Sequence, residues 1–321
     1  MSAFPAGLTL SRDDRPIAIA ALFIVVILVA GTVYTLAHFG SAPLLSPTYL
    51  LQQLQIGAFL GIVSAGMMIV ILISQIDLSV PWTLTAAAMM ATAVGGPWAI
   101  PIGLCVGLAV GLVNGIGVAY LRVPSMIFTL GVNAVMRGLM VAHTGGFAPE
   151  TGATALMRSL AAERTFGIPN ALFVWIAVSL IVVVVLQRMA LGRYIYAIGN
   201  KEAAAYLAGV NTRWVTVICF AICGVTAALA GVLLAGYSTK AYQGMGDAYL
   251  LPSIAAVVIG GTNILGGRGR YLGTLIGVIL IVLLNSVLSI MEMPEAGRQI
   301  IYGGVIIAML LVYGRGDRVV S

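Results

Sequence analysis

The sequence predicts an all-α, polytopic membrane protein with about ten transmembrane helices. Of its 321 residues, 61% are hydrophobic and only 8% are charged, whereas a soluble domain carries about 25% charged residues. The apolar residues fall in consecutive runs of about 20, the length that crosses a bilayer as a helix. Glycine is frequent, at 39 residues, which favours close packing of helices within a membrane.

Taken in chain order, the apolar runs predict ten segments. The first is longer than the apolar core of a signal peptide, about 7–15 residues, and is interpreted as a retained helix. The third is short, and the eighth is interrupted by Gly260 and Gly261, so neither is expected to be a simple span. The segments centre on residues 17–37, 51–73, 80–94, 98–121, 125–142, 171–186, 214–236, 249–265, 271–290 and 299–313.

The cations orient these helices, because Lys and Arg are enriched in cytoplasmic loops. If both termini are cytoplasmic, eleven of the 16 cations fall on the inner side, four on the outer side, and Arg137 lies within a span. The inner set is Arg12, Arg15, Arg122, Arg188, Arg193, Lys201, Arg213, Arg268, Arg270, Arg315 and Arg318, and the outer set is Arg158, Arg164, Lys240 and Arg298. We therefore predict a multi-pass protein with both termini in the cytoplasm.

The chain is expected to form a single transmembrane domain over residues 17–314, with cytoplasmic tails at 1–16 and 315–321. Two connections are long. The outer loop covers residues 144–170, and the inner loop covers residues 187–213. The sequence has no separate soluble domain and no low-complexity tract.

Composition excludes several other classes. The formal net charge is +6, but the cations form short clusters rather than the continuous basic surface that a nucleic-acid partner requires. Cys105, Cys219 and Cys223 lie in apolar segments, which indicates buried small side chains rather than a metal site. His38 and His143 stand alone near segment ends, where we interpret them as interfacial. A membrane-embedded enzyme is therefore not supported.

The inner loop carries a short polar stretch, GNKEAAAYLAGV, at residues 199–210. Asn200 is a favoured helix N-cap, Glu202 suits the first turn electrostatically, and Gly209 suits a left-handed C-cap. A helix of about two turns is marginal in water and needs a surface to pack on. Lipid-anchoring helices carry large apolar residues and several cations, so the small alanine face favours docking on another protein.

The stretch ISQIDLSVPWTL, at residues 73–84, places Asp77 at the inner end of the second span. Ser79 is expected to cap the third helix, with Pro81 tolerated in its first turn. An intramembrane carboxylate is a candidate functional residue. Because Asp77 is near the edge of the span, a structural turn made with Ser79 is the favoured interpretation.

The stretch VPSMIFTLGVNAVMRGL, at residues 123–139, places Arg137 well inside a span. A cation there must face the protein interior or a water-filled path. Pairing with backbone carbonyls and contact with a ligand both remain open. Asn114, Asn133 and Arg137 are our candidate residues for a translocation path.

The stretch AAVVIGGTNILGGRGRYLGT, at residues 255–274, is rich in glycine but is not a phosphate-binding loop. The P-loop pattern GxxxxGK[ST] is missing, since neither Lys201 nor Lys240 follows Gly or precedes Ser or Thr. This chain is therefore not expected to bind ATP by that route.

Four stretches together resemble the ribose-type permease subunits of bacterial ABC importers. They are SQIDLSV, VPSMIFTLGVNAVMRGL, GRYIYAIGNKEAAAYLAGV and AAVVIGGTNILGGRGRYLGTLIG, in the order and spacing of that family. The resemblance extends from about residue 51 to the C-terminus. The sequence departs from it at Pro81, where the family usually has Gly, and at Ser74 and Gln75, where the family has a Gly pair.

The resemblance implies that the inner loop holds a coupling helix, which sits in a cleft of a separate ATPase subunit. That partner would bind ATP and Mg, and this chain would bind no cofactor or metal and would not be an enzyme. A second permease subunit, identical or related, and a periplasmic sugar-binding protein are the other implied partners, besides membrane lipid. The implied coupling residues are Gly199, Asn200, Lys201, Glu202, Ala203, Ala204, Ala205, Leu207 and Gly209.

The implied function is import of a monosaccharide of the ribose, xylose, arabinose or galactose class across the bacterial inner membrane by alternating access. The sequence leaves the sugar open. The alternative is a secondary transporter driven by an ion gradient, which needs ionisable residues near the membrane midplane. The sequence offers Arg137 and the peripheral Asp77 for that purpose, so the importer is favoured.

Overall fold

A computed structural model describes residues 15–316, so most of the two predicted cytoplasmic tails lies outside the described residues. Over this range the chain forms helices and one very short β-hairpin. The elements are α1 (Arg15–Phe39), α2 (Pro47–Leu72), α3 (Val80–Val94), α4 (Ala99–Ala119), α5 (Ser125–Thr144), α6 (Ala155–Ala161), β1 (Arg164–Thr165), β2 (Ile168–Pro169), α7 (Asn170–Arg188), α8 (Ala190–Leu207), α9 (Thr212–Tyr237), α10 (Leu250–Ile259), α11 (Tyr271–Ile290) and α12 (Glu295–Gly316).

The all-α membrane class is confirmed. Within the described range, seven helices are long and apolar enough to cross a membrane: α1, α2, α4, α5, α7, α9 and α11. The helices α3 and α10 are shorter, at 15 and 10 residues, and the tenth predicted segment lies within α12. The eighth predicted segment was too long at its end, because a turn with Gly261 at φ +89° follows Ile259.

The core is built around α9, which packs against α2, α3 and α4. The inner half of α2 is buried on all sides, and Phe59, Met67 and Met68 have relative exposures of 1% or less. Phe220 of α9 is equally buried. A helix that is apolar all round belongs in the centre of a bundle, so α2 and α9 form the scaffold on which the other helices are placed.

A glycine seam joins α4 to α9. Gly103, Gly107, Gly111 and Gly115 recur every four residues and therefore share one face of α4. A Cβ atom at Gly111 would lie 2.5 Å from the carbonyl oxygen of Phe220, too close for any side chain. The two backbones are thus in direct contact, as expected for small residues at membrane helix interfaces.

The same seam corrects one prediction. Cys219 and Cys223 on α9 are buried, as predicted, but Cys105 on α4 is exposed. Because successive helical residues turn by about 100°, Cys105 lies roughly opposite the seam glycines. The apolar sequence around it reflects contact with the membrane or another chain rather than burial in this one.

The outer loop, residues 144–170, is folded rather than irregular. It contains α6, whose first turn is capped by Thr154 through a 3.3 Å bond from the backbone N–H of Met157. The hairpin pairs β1 with β2 in antiparallel register. The backbone N–H of Ala153 donates to the Thr239 carbonyl at 2.8 Å, which ties this loop to the segment after α9.

Candidate functional site

The inner loop is a nearly continuous helix with a break. It runs from Ala190 to Leu207, and Lys201 alone has extended backbone angles, φ −163° and ψ 100°. The break divides α8 into two parts. Residues 190–200, which we call the first arm, pack on the bundle, and residues 202–207 form a short helix. We call residues 202–207 the terminal helix. It projects from the protein at the end of the bundle where the inner loop lies.

The terminal helix ends in a Schellman motif. Gly209 has φ +86°, its N–H donates to the Tyr206 carbonyl at 3.0 Å, and the Val210 N–H donates to the Ala205 carbonyl at 3.0 Å. This pair of bonds satisfies carbonyls that a helix end leaves free. The predicted C-terminal cap at Gly209 is therefore confirmed by the backbone geometry.

The predicted N-terminal cap at Asn200 was wrong by one residue. The extended residue that precedes the terminal helix is Lys201. The Asn200 side chain instead faces backwards, and its Nδ2 donates to the Tyr196 carbonyl at 2.9 Å and to the Gly267 carbonyl at 3.4 Å. Asn200 thus closes the first arm and holds it to the glycine-rich loop, a role that needs a contact 67 residues away in sequence.

Most of the terminal helix is exposed. Ala205 is buried, whereas Lys201, Glu202, Ala203, Ala204 and Ala208 are exposed. Two large side chains have unusually high exposure, Leu207 at 85% and Tyr206 at 68%. An exposed Leu and Tyr next to small alanines form a surface with an unburied apolar part, which is typical of a protein-docking site.

A groove of about 580 Å³ separates the side of this helix that faces the bundle from α4 and α9. Glu202, Ala203 and Tyr206 line it from the terminal helix, and Arg122 and Arg213 line it from the other wall. The outward positions, Ala204 and Leu207, do not line the groove, so they remain free to contact a second protein.

A three-way junction connects the first arm of α8, the end of α2 and the glycine-rich loop at residues 260–270. The Gly267 N–H donates to the Leu72 carbonyl at 2.9 Å, and the Tyr196 hydroxyl donates to the Gly269 carbonyl at 2.9 Å. Gly199 lies so close to Leu72 that a Cβ atom would overlap its carbonyl oxygen. Burial raises the pKa of Tyr196 above its usual value of 10.0, although the charge of Arg270 opposes the shift, so its hydroxyl remains a donor at neutral pH.

Ser74 closes this junction. Its hydroxyl lies 2.6 Å from the Leu265 carbonyl and 3.4 Å from the Gly199 carbonyl. Its backbone is left-handed, with φ +62°, a conformation that favours glycine. The departure from the family's Gly pair at this position therefore places a non-glycine residue in a glycine-type turn, with the short hydrogen bond to Leu265 in compensation.

The chain then crosses residues 73–79 to reach α3, and Asp77 organises this segment. Asp77 is 1% exposed. Its Oδ1 accepts from the Ser79 N–H at 2.9 Å and from the Ser79 hydroxyl at 2.6 Å. An acidic side chain that accepts from the N–H two residues later forms an Asx turn, so Asp77 and Ser79 together make the structural turn before α3.

Ser79 occupies the predicted N-cap position of α3, but its side chain makes no cap hydrogen bond there. Its hydroxyl is used by Asp77 and by Asn114, whose Nδ2 donates to Ser79 Oγ at 2.7 Å. The same Nδ2 lies 3.3 Å from Asp77 Oδ1. The expected side-chain cap was therefore wrong, because Asp77 and Asn114 engage the Ser79 hydroxyl instead.

A polar stripe on α5 satisfies the backbone at the start of α3. Ser125 Oγ accepts from the Ile76 N–H at 3.3 Å, and Thr129 Oγ1 accepts from the Leu78 N–H at 2.9 Å. One turn further along, Asn133 Oδ1 accepts from the Trp82 N–H at 3.3 Å. Ile76 and Leu78 precede α3, and the Trp82 N–H lies in its first turn, where donors have no partner within the helix. The helix α5 therefore supplies side-chain acceptors to this segment and first turn.

Arg137 continues this stripe by one more turn. Its guanidinium carbon lies 5.8 Å from the centroid of the Trp82 ring, within the range of a cation–π contact. The stripe Ser125, Thr129, Asn133 and Arg137 repeats every four residues, and this spacing was a signal in the sequence. Asn133 and Arg137 were predicted as path residues, whereas the two hydroxyl residues on the same face were missed.

The structure separates the three predicted path residues. Asn114 is fully buried in the Asp77 turn. Asn133 is half-buried, and Arg137 is exposed on the surface of the single chain. A cation within an apolar span is costly to expose to lipid tails, which favours contact of the surface around Arg137 with water or another protein.

These features define a class of protein. The bundle has broken membrane segments, held by side chains of neighbouring helices, and an exposed terminal helix bonded to the same junction that starts α3. Irregular backbone of this kind inside a membrane is typical of transport permeases.

The chain belongs to the family described as branched-chain amino acid transport system / permease component, which matches residues 49–310. It is similar to the ribose import permease protein RbsC of Escherichia coli (strain K12), with 36% identity over 271 residues, 82% of this chain and 84% of that protein. It is also similar to RbsC of Bacillus subtilis (strain 168), with 34% identity over 275 residues, 84% of this chain and 85% of that protein.

A third relative is named for a different substrate. The autoinducer 2 import system permease protein LsrC of Escherichia coli O9:H4 (strain HS) is 31% identical over 261 residues, 79% of this chain and 75% of that protein. No solved structure matches the chain. The predicted class, a permease subunit of an ABC importer, is confirmed, and the chain is a transport component rather than an enzyme.

Proposed function

We propose that this chain carries a monosaccharide from a periplasmic binding protein into the cytoplasm, driven by ATP hydrolysis on a separate subunit. The substrate class is supported by the relatives, two of which are ribose import permeases. The observation that supports the ATP-driven mechanism best is the terminal helix, which is exposed at its tip and bonded to the start of α3 through the junction at Leu72, Ser74 and Gly267.

The terminal helix is the coupling element in this proposal. Ala204 and Leu207 face outward and enter a cleft on the ATPase, while Gly199 and Asn200 fix the base of the helix to the bundle. ATP and Mg belong to the partner, in agreement with the missing P-loop in this sequence. A movement of the terminal helix would pass through the junction to residues 73–79 and so to α3.

The path lies between two permease subunits, identical or related. In this proposal Arg137 and Asn133 line the path, and Asn114 supports it indirectly by holding the Asp77 turn. The apolar face of α5 supports a subunit or lipid contact, with Ile127 67% and Val135 60% exposed. The folded outer loop, residues 144–170, would receive the binding protein.

The substrate is tested by transport. The complete assembly of permease, ATPase and binding protein is placed in liposomes, and uptake of labelled ribose, xylose, arabinose and galactose is compared. We expect ATP-dependent uptake of at least one of these sugars, and no ATP hydrolysis by the purified permease alone. Uptake of an amino acid but of no sugar would contradict the proposed substrate class.

The orientation is tested separately. We propose an inner-membrane location with both termini cytoplasmic, supported by the bias of cations to one side. In a variant without Cys105, Cys219 and Cys223, a single cysteine at Arg158 and one at Lys201 should react with an impermeant reagent from opposite sides of the membrane. Labelling from the same side would contradict this topology.

A further inference from the structure

The segment between α9 and α10 enters the protein from the outer end and reaches the start of α3. Near its middle, Gln243 Nε2 donates to Thr144 Oγ1, at the outer end of α5, at 2.9 Å. Three residues later, the Gly246 N–H donates to Thr85 Oγ1 at 3.1 Å. Gly246 is so close to Pro81 that a Cβ atom there would overlap the Pro81 carbonyl.

This entry places Asp247 beside the polar stripe of α5. Asp247 is exposed on the surface of the single chain and directly follows Gly246, which touches Pro81. The next residue, Trp82, carries Arg137 on its ring, so the two charged residues lie on the same part of α3, and the Arg137 charge acts on the Asp247 carboxyl. Arg137 is twelve residues beyond the first residue of α5, about 18 Å along the helix at 1.5 Å per residue, in a hydrocarbon core about 30 Å thick. The other end of α5, Thr144, is seven residues or about 10 Å further on, so Arg137 lies between the two ends of a membrane-spanning helix rather than at either one.

The surroundings hold Arg137 in place but leave its charge accessible. The Trp82 ring is 4% exposed and packs beneath the guanidinium. The Trp82 backbone is itself fixed by Asn133. Arg137 is exposed beyond this support, so a rigid aromatic base presents the guanidinium on the side of α3 where Gly246 meets Pro81 and Asp247 follows.

A neighbouring cation and carboxylate on a membrane-embedded surface need water, a polar ligand or a protein partner. Guanidinium groups donate hydrogen bonds only, and carboxylates accept them. Adjacent sugar hydroxyls both donate and accept, so one monosaccharide matches the pair: its oxygens accept from Arg137, and its hydroxyl protons are donated to Asp247. Hydrogen bonds to charged groups are stronger than those between neutral groups. They therefore offset the free energy lost when the sugar gives up its hydrogen bonds to water.

We propose that Arg137 and Asp247 form a sugar-contact site in a water-filled path near the middle of the membrane, with Trp82 and Asn133 as positioning residues. This inference rests on the proposed function, because the ligand is the transported monosaccharide. It adds Asp247 and the entering segment around Gly246 to the residues that line the path.

The first test measures water access and needs no transport. In the complete assembly without native cysteines, Asp247→Cys is treated with an impermeant, charged thiol reagent. We expect reaction within tenfold of the rate for Thr165→Cys in the exposed outer hairpin. The control is Val135→Cys on the apolar face of α5, expected to react at least a hundredfold more slowly. If Asp247→Cys is as unreactive as Val135→Cys, the site is sealed by lipid or protein, and the proposal fails.

The second test measures sugar contact. In liposomes, Arg137→Gln and Asp247→Asn should lower the amount of labelled ribose imported per ATP hydrolysed by tenfold or more, with ATP hydrolysis within twofold of the unmodified assembly. Arg158→Gln, on exposed α6, is the matched control and should keep the normal ratio. An unchanged ratio in both path variants would overturn the sugar-contact assignment. If the unmodified assembly imports no ribose with ATP, the proposed function fails instead, and the thiol test still decides whether Asp247 lines a wet path.

Discussion

The hydroxyl of Ser74 donates a 2.6 Å hydrogen bond to the backbone carbonyl of Leu265. These residues are 191 positions apart in the sequence, and their bond joins the end of α2 to the glycine-rich loop. The same hydroxyl also reaches the Gly199 carbonyl, at the base of the terminal helix. Ser74 therefore lies where three separate parts of the chain meet, directly before the segment that leads to α3.

Two substitutions at Ser74 should differ in a defined order. Ala would lose the hydroxyl's hydrogen bond to Leu265 and keep the strain of a left-handed backbone, which costs about 1–2 kcal/mol for a non-glycine residue. Gly would lose the same bond, worth about 0.5–1.5 kcal/mol, but would relieve the strain. We expect Ser74→Ala to have the lower thermal unfolding midpoint in detergent, with Ser74→Gly near the unmodified chain. The reverse order would show that the left-handed turn is not strained.

Asp77 should matter through its hydrogen bonds. Asp77→Ala would leave the Ser79 N–H without its acceptor in a buried position, and would remove a partner of Asn114. An unsatisfied buried group costs about 1–3 kcal/mol, so we expect a loss of roughly 3 kcal/mol in stability. Asp77→Asn keeps an oxygen that accepts from Ser79 and should cost about 1 kcal/mol.

The measurement for Asp77 is thermal unfolding of the purified permease, combined with its yield from membranes. The matched pair separates two roles. If Asp77→Asn is as damaging as Asp77→Ala, the charge itself is required and the Asx turn is not the main function. If both variants are as stable as the unmodified chain, the hydrogen bonds around the turn contribute little.

Local signals in the sequence predicted much of the fold. The bounds of α3 and α11 match the predicted segments, because Pro81 near the start of α3 and the polar run before Tyr271 mark helix starts. The left-handed cap at Gly209 was also predictable, since glycine adopts positive φ at low cost. These features depend on residues that are neighbours in the chain.

Other features depend on distant partners and could not be predicted this way. Ser79 was expected to cap α3, but Asn114, 35 residues away, competes for its hydroxyl. Asn200 was expected to start a helix, but the Gly267 carbonyl attracts its side chain. The place of Asp247 beside Arg137 follows from a segment that enters the bundle, and nothing in its local sequence distinguishes that path from a surface loop.

The outward face of the terminal helix should tolerate no large charge. Ala204 and Ala208 are one turn apart on that face and both are exposed. In the proposed complex, Ala204→Arg would overfill a cleft of the ATPase that is shaped for methyl groups, which costs about 1–3 kcal/mol of binding free energy. It would also remove a charged group from water, which adds to that cost. A total of about 3–5 kcal/mol would weaken binding of the ATPase by two to four decades. The helix should persist, because Arg is a good helix former.

The measurement is the amount of ATPase that co-purifies with the tagged permease. Ala162→Arg is the matched control, since Ala162 is an exposed alanine at the end of α6 in the outer loop. It should bind the ATPase normally. If Ala204→Arg also retains the ATPase and transports at the normal rate, the terminal helix rests on the membrane surface and is not a docking element.

If ATP hydrolysis on a partner subunit drives sugar through this chain, uptake in sealed liposomes must depend on ATP. The permease is reconstituted with its ATPase and binding protein, ATP is supplied to the ATPase side, and uptake of labelled ribose is followed with and without a protonophore. We predict that uptake requires ATP and is unchanged by the protonophore. Uptake that collapses with the protonophore while ATP is held constant would contradict this mechanism and favour a transporter driven by an ion gradient.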